Sequence, residues 1–189
     1  MSISIIDIVE SQVIASIMEP KYINKAISSS ANIAFLLTGD LMSIKDHIEE
    51  LKNANMIVFI HLDFVDGLSN SRRAIEYIAK ILKPSGIITT KSNLIIYAKE
   101  YNLLTIQRIF LLDHSAVKKG IEMVNSSKPD AIEVLPGLMP RIIDELSKEL
   151  SLPIIVGGLI DKEPEILDAL KAGALAVSVS NPKLWNLPI

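Results

Sequence analysis

The chain has 189 residues, of which 49% are hydrophobic and 22% charged, and its 19 Lys and Arg against 22 Asp and Glu leave a net charge of −3. This composition excludes a disordered chain, which combines low hydrophobicity with high net charge. The lack of cysteine excludes disulfides and thiolate metal sites. The near-neutral balance also argues against a protein whose main surface is a groove for a nucleic-acid backbone, because such domains carry a clustered basic excess.

The apolar runs, such as 56–60 and 154–156, are far shorter than the about 20 residues of helix that cross a bilayer. The opening segment, residues 1–9, contains Asp7 and no basic region, so it is not typical of a secretory signal. We therefore expect a cytoplasmic protein with no membrane partner. The length favours a single domain over residues 1–189.

Eight short apolar runs alternate with stretches whose apolar residues recur at helical spacing. Ile44, Ile48 and Leu51, for example, fall at i, i+4 and i+7, as one buried helical face requires. The runs are nearly continuous in Ile, Val and Leu, which is typical of a parallel sheet covered on both faces. The predicted strands are 13–17, 33–37, 56–62, 86–90, 103–107, 131–134, 153–156 and 174–179.

The predicted helices have suitable ends. Pro140 and Pro164 stand where a first helical turn tolerates a missing backbone donor, and Gly173 is placed to end a helix in the left-handed conformation. Polar residues that can accept hydrogen bonds from free backbone amides precede four of the helices: Ser43, Ser92, Asp113 and Asp161.

Strand and helix alternating eight times predict a compact TIM-like (β/α)8 parallel barrel. Its last helix is truncated, because only residues 181–189 follow the last strand. An open doubly wound sheet is the alternative. In both folds the carboxyl ends of the parallel strands form the site, so the polar residues at those ends are the candidates.

Charged residues lie at or near the ends of four predicted strands: Asp63, Lys91, Arg108 and Glu133. Burying Glu133 within an apolar run costs several kcal/mol unless it is paired or reaches solvent, so we expect a cation to pair with it. Lys91 and Arg108 come from the two preceding strands and can supply that cation, leaving positive character for an anionic ligand. A purely structural ion pair between Arg108 and Glu133 is the alternative, and His61 is either a core residue or a ligand contact.

The loops after the last two strands predict a phosphate site. Glycines allow backbone N–H groups to approach phosphate oxygens, and barrel phosphate sites commonly use these two loops together with the start of a short helix. A simple tight turn is the alternative at the glycines. The candidate phosphate contacts are Gly157, Gly158, Ser180 and Asn181.

The loops after the last two strands would bind the phosphate, and the charged residues across the mouth would contact hydroxyl groups. Together they predict a site for a small polyol phosphate. If the protein were a Schiff-base enzyme, its reactive lysine would have to be Lys91, yet the neighbours Thr89 and Ser92 offer no obvious general base. No Ser-His-Asp pattern is visible either. No two histidines are spaced for a metal, so we expect no metal and no cofactor.

Six strings of the sequence resemble those of the glycerol-3-phosphate responsive antiterminator family. They are residues 61–63 (HLD), 83–90 (KPSGIITT), 106–113 (IQRIFLLD), 132–137 (IEVLPG), 156–158 (VGG) and 180–185 (SNPKLW). The resemblance runs from about residue 33 to 185, and residues 1–20 match poorly. Lys91 stands where we expect many members to carry Arg, and lysine cannot make arginine's bidentate phosphate contact.

The resemblance implies a barrel that binds glycerol 3-phosphate and then acts on the leader mRNA of glycerol operons to prevent termination, hence a regulator and not an enzyme. The residues give the RNA partner little support. Arg72-Arg73 and Lys118-Lys119, on different helices, are candidate contacts with the RNA backbone, and an ordinary solvated helix face is the alternative for each. Trp185 fits a cap on the barrel better than a stacking platform. Two alternative functions stay open: a sugar-phosphate aldolase or isomerase, and a metabolite sensor that acts on a protein. The chain could also form a homo-oligomer.

Overall fold

The computed structural model describes residues 4–189, and in it eight parallel strands form a closed barrel. Each strand pairs with the next along the chain, and the first pairs with the last, which excludes the open sheet. The predictions for residues 1–9 and for a domain over 1–189 fall partly on residues 1–3, outside the described part. The strands are β1 (Val13–Ile17), β2 (Ile33–Leu36), β3 (Ile57–His61), β4 (Gly86–Thr89), β5 (Leu104–Phe110), β6 (Ala131–Leu135), β7 (Ile154–Gly157) and β8 (Ala176–Val179).

A short helix, α1 (Ile5–Ile8), precedes β1, and within residues 4–189 one helix follows each of β1 to β7. None of the helices in this range is long and apolar enough to cross a membrane. After β8 there is only a 3-10 turn, Pro182–Leu184, which confirms the truncated last helix. The crossover helices are α2 (Ile23–Ile27), α3 (Ile44–Asn53), α4 (Arg72–Tyr77, continuing as a π-helical turn over Ile78–Leu82), α5 (Ser92–Glu100), α6 (His114–Ser127), α7 (Pro140–Glu149) and α8 (Glu163–Lys171).

The strands bury apolar side chains on both faces, as their continuous Ile, Val and Leu runs predict. Outward side chains pack under the helices, whereas a second cluster fills the barrel interior around Phe35 and Phe59, whose rings meet edge to face at 5.7 Å. Ile5 of α1 belongs to the interior cluster. α1 therefore closes the amino end of the barrel, opposite the predicted site.

The chain returns to the amino end of the barrel after β8. Trp185 is fully buried in the outer cluster, where its Nε1 donates to the Val179 carbonyl at 2.8 Å. The Gln12 amide, just before β1, donates to the Ile189 carbonyl at 3.0 Å. Residues 185–189 thus cover the outer face that a full eighth helix would occupy.

Only some of the predicted helix ends are correct. Asp113 accepts from the Ala116 amide at 2.8 Å, Pro140 begins α7, and Gly173 has a φ of +103° just after α8. Three predicted caps are wrong because another acceptor is better placed or the residue lies inside the helix. Asp40 accepts from the Ser43 amide, Ser92 is the first residue of α5, and Glu165 accepts from the Asp161 and Lys162 amides.

Candidate functional site

A layer of polar side chains lies inside the barrel, just above the apolar interior cluster. Each member follows an interior apolar residue of the same strand by two positions, so it points into the barrel as well. The exposed fractions of these residues are between 1% and 7%. The layer faces the carboxyl ends of the strands, the end that forms sites in this fold. Its members are Ser16, His61, Arg108, Glu133 and Ser178.

Arg108 and Glu133 form a buried ion pair within this layer. They are directly opposite each other in the pairing of β5 with β6, and Arg108 Nε donates to Glu133 Oε2 at 2.7 Å. The other carboxylate oxygen, Oε1, accepts from Ser178 Oγ at 2.7 Å. The hydrogen bonds from Arg108 and Ser178 therefore compensate the cost of burying the Glu133 carboxylate, as the sequence requires.

Lys91 pairs with Asp63 and not with Glu133. Its Nζ lies 2.7 Å from Asp63 Oδ1, while Asp63 Oδ2 accepts from the Thr90 amide at 3.1 Å and from Thr90 Oγ1 at 3.2 Å. Burial by itself would raise the pKa of Asp63, but the hydrogen bonds from Lys91 and Thr90 together hold it below its ordinary value. Asp63 is therefore a carboxylate at neutral pH.

These pairings change the expected electrostatics of the mouth. Because each of the two cations is matched by a carboxylate, the four charges of Asp63, Lys91, Arg108 and Glu133 cancel. The expectation that Lys91 and Arg108 leave a positive surplus for an anion is wrong. The backbone amides of the loops after β7 and β8 are therefore the candidate source of attraction for a phosphate.

His61 ends β3 inside this layer and is 1% exposed. Its ring meets Phe64 edge to face with 4.7 Å between centroids, and its Nδ1 is 3.8 Å from Asp63 Oδ2. Burial, reinforced by the charge of Arg108, lowers the pKa of His61 to about 3. The imidazole is therefore neutral at physiological pH.

The two loops of the predicted phosphate site are neighbours at the same end of the barrel. Gly157 pairs with Ser178 across β7 and β8, so Gly158 and Ser180 directly follow the carboxyl ends of adjacent strands. Gly158 has a φ of +73°, which glycine adopts without strain. Asn181 uses its side chain locally, since Oδ1 accepts from the Lys183 amide at 3.1 Å.

Gly157 has a structural role in addition to the predicted phosphate contact. It is buried, and a Cβ there would lie 2.2 Å from Ser178 Oγ and 3.2 Å from Glu133 Oε1. The glycine thus makes room for the hydrogen bond between Ser178 and Glu133. Phosphate contact at Gly157, Gly158, Ser180 and Asn181 stays a prediction.

Sequence reasoning missed three contributors: Ser178, Thr90 and Phe64. Ser178 was detectable, because it is a polar residue two positions after Ala176 in an apolar strand. Phe64 has no comparable signal, since only the folded chain shows that its ring lies against His61 and 5.9 Å from the Arg108 guanidinium carbon. Within residues 4–189, no three His, Asp or Glu side chains are grouped so as to hold a metal ion.

Fold and site together define a (β/α)8 barrel protein with a polar, charge-balanced mouth. The profile of the glycerol-3-phosphate responsive antiterminators matches residues 13–185. The chain belongs to this family, as the resemblance of its six strings predicted.

Proteins of similar sequence and structure agree with this assignment. The glycerol uptake operon antiterminator regulatory protein of Listeria monocytogenes superposes with a TM-score of 0.90 at 32% identity, covering 93% of this chain and 95% of that one. A related protein of Thermotoga maritima gives 0.82 at 33% identity, with 92% and 96% covered. The uncharacterized protein YgcP of Escherichia coli K12 is 31% identical over 178 residues, 94% of this chain and 93% of its own length.

Proposed function

We propose that this protein binds glycerol 3-phosphate at the mouth of the barrel and, when loaded, acts on the leader mRNA of a glycerol-utilisation operon to prevent termination. The observation that carries the proposal is the family match over residues 13–185. We accordingly propose that the protein acts in the cytoplasm, where it would meet nascent mRNA. The proposal needs no cofactor, since the metabolite itself is the effector.

The phosphate is proposed to lie against the β7 and β8 loops. The adjacency of Gly158 and Ser180 supports this, because two neighbouring loops can direct several backbone N–H groups at one dianion. The polyol part is proposed to enter the barrel toward the polar layer, where carboxylate oxygens accept hydrogen bonds from hydroxyls. The charge balance of that layer suits an uncharged polyol better than a second anion.

We infer a regulator and not an enzyme. A Schiff-base mechanism would need an amine able to attack a carbonyl, whereas Lys91 Nζ is bound to Asp63 Oδ1 at 2.7 Å. Glu133 is similarly committed to Arg108 and Ser178. The aldolase or isomerase alternative requires turnover of a sugar phosphate that is lost in Lys91→Ala or Glu133→Ala.

The two basic pairs on the helices, Arg72-Arg73 and Lys118-Lys119, differ in whether their charges are available to bind RNA. Arg72 is bound to Glu100, and Arg73 to Glu76. Lys118 and Lys119 on α6 are exposed, and no ion pair found within residues 4–189 involves them. We therefore favour the α6 pair for contact with the RNA backbone.

Thermal unfolding with sn-glycerol 3-phosphate, glycerol and inorganic phosphate tests metabolite binding. We expect glycerol 3-phosphate at a hundredfold excess over its Kd to raise the Tm by about 5 °C or more. Ser180→Asp should abolish the shift, because its carboxylate would repel the phosphate, whereas Ser126→Asp on exposed α6 should retain it. The proposal fails if the wild-type Tm does not respond.

A gel-shift titration of the leader RNA, at several salt concentrations with and without the metabolite, tests the RNA step. Lys118→Gln/Lys119→Gln should reduce the slope of log Kd against log salt by about 2, and Arg72→Gln/Arg73→Gln should change it less. Metabolite binding without any RNA binding would instead support a sensor that acts on a protein.

A further inference from the structure

The imidazole of His61 is a buried polar group without a hydrogen-bond partner among the described residues. Both ring nitrogens are inaccessible to solvent, and neither makes a hydrogen bond. Asp63 Oδ2, 3.8 Å from Nδ1, is too distant to accept one. Buried side-chain polar atoms are nearly always paired, so this residue calls for an explanation within the site.

His61 occupies the polar layer at the mouth. It follows Phe59 of the interior cluster by two positions, so its side chain points into the barrel. Arg108 is close enough for its charge to lower the pKa of the imidazole, and Phe64 holds the edge of the ring. Phe64, which packs against the ring, is itself exposed to solvent, so a ligand would reach the ring nitrogens by displacing the Phe64 side chain.

A neutral imidazole has one N–H donor and one acceptor nitrogen. The charged groups at the mouth lack this combination: Arg108 only donates, and the carboxylates of Glu133 and Asp63 only accept. A hydroxyl group likewise both donates and accepts. Among the ligand groups that could enter the mouth, an uncharged hydroxyl therefore matches His61 best.

We propose that His61 recognises a hydroxyl group of the metabolite on the wall opposite the phosphate loops. In the ring of eight strands, β3 lies four strands from β7, so a ligand anchored at Gly158 and Ser180 extends across the mouth toward His61. The inference rests on the proposed function and adds a specificity residue to it. His61 would thus separate a polyol phosphate from an alkyl phosphate of equal charge.

Calorimetric titration of wild type and His61→Phe with sn-glycerol 3-phosphate and with propyl phosphate tests this role. Propyl phosphate retains the phosphate and lacks both hydroxyls, and phenylalanine retains the ring and lacks both nitrogens. We expect wild type to prefer glycerol 3-phosphate by about tenfold or more, and the variant to lose that preference while its affinity for propyl phosphate is kept. His114→Phe on α6, whose imidazole is exposed, is the matched control and should behave as wild type.

Thermal unfolding of the ligand-free variants separates recognition from a structural role. Removing two unpartnered nitrogens should raise the Tm of His61→Phe, and His61→Leu provides the same test if the larger ring crowds Phe64. A lower Tm in both variants, with both ligands weakened equally, overturns the inference, as does an unchanged preference. Wild-type protein that binds neither ligand overturns the proposed function itself.

Discussion

Gly157 lies at the carboxyl end of β7, where the side chains of Ser178 and Glu133 meet. We expect Gly157→Ala to destabilise the protein by about 1–3 kcal/mol, because the added methyl group would lie 2.2 Å from Ser178 Oγ. Urea unfolding measures the loss. Gly120→Ala is the control: its Cβ would lie 3.3 Å from Cδ1, the flexible end of Ile109, and at ordinary contact distance, 3.8 Å, from Leu111 Cδ2, and alanine favours the helix.

The clash between a methyl group at position 157 and Ser178 Oγ can also be relieved by removing the Ser178 side chain. Gly157→Ala/Ser178→Gly should be less destabilised than the sum of its two single variants, because the double variant removes the atom that the methyl group meets. Strict additivity of the two free energies would show that the two positions do not compete for space.

His61 gives the protein a pH-dependent stability with a defined sign. In the unfolded chain it takes up a proton near pH 6.5, whereas in the fold it stays neutral down to about pH 3. The unfolded state therefore binds more protons as the pH falls, and stability present above pH 6.5 is lost below it. Between pH 7.5 and 5.0 wild type should lose about 2 kcal/mol more than His61→Phe.

Urea unfolding of both proteins at the two pH values measures this difference. The other histidines, His47 and His114, are present in both proteins and cancel. The carboxylate of Asp63, whose pKa is lowered, loses its contribution only below its ordinary value of 3.8, outside this range. Equal losses in the two proteins would contradict the assignment of a neutral buried His61.

Residue chemistry predicted part of the site. The cost of burying Glu133 required a cation, and Arg108 supplies it. The partner of Lys91 was not predictable in the same way, because Asp63 and Glu133 are both carboxylates near strand ends and only the turn after β3 brings Asp63 to it. Composition cannot decide between two equivalent partners.

At the scale of the helix, Asp113 and Asp161 appear equivalent in sequence but differ in the fold. Asp113 caps α6, whereas the amides at the start of α8 are bound by Glu165. We expect Asp113→Ala to destabilise the protein by about 1 kcal/mol and Asp161→Ala by less than about 0.5 kcal/mol. Thermal unfolding of the two variants checks this, and equal effects would refute it.

Strand positions were predicted well and strand ends less well. The predicted end of β6, Val134, differs by one residue from the observed end, Leu135. β5, however, runs to Phe110 and not to the predicted Gln107. The sequence suggested that β5 stops at its polar residues. In the fold Gln107 is bound by Ser92 and Ser127, and Arg108 by Glu133, so polar side chains remain within the sheet.

The short helix α1 was not predicted, and α2 was predicted only by the count of eight strand and helix repeats, without residue bounds. Each has only four or five residues, too few for a helical period to show. α1 is stabilised instead by the Ser4 and Asp7 capping box and by burial of Ile5 at the base of the barrel. Such a helix depends on the barrel that it closes, so local sequence cannot reveal it.

For the whole molecule, the proposed function is a coupling between two ligands. If glycerol 3-phosphate tightens leader RNA binding by some factor, the RNA must tighten metabolite binding by the same factor. Titrating metabolite with and without saturating RNA measures the second factor, and the gel shift gives the first. Unequal factors would exclude a single reversible coupling between these two sites.

The closed topology was predictable because eight strand and helix repeats have few other arrangements. Its closure depends on the pairing of β1 with β8, through Val13, Ile14 and Ala15 opposite Val177, Ser178 and Val179. No local pattern encodes that pairing. It follows from the count of repeats and from the absence of any other partner for two apolar edge strands.

The bond between the Gln12 amide and the Ile189 carbonyl fixes Ile189 at the pole of the barrel opposite its mouth. If the protein were attached to a surface by a tether joined after Ile189, the mouth of the barrel would face away from that surface. Molecules immobilised on an optical sensor through that end would all present the same pole to the flowing solution, with transcript and metabolite free to arrive together.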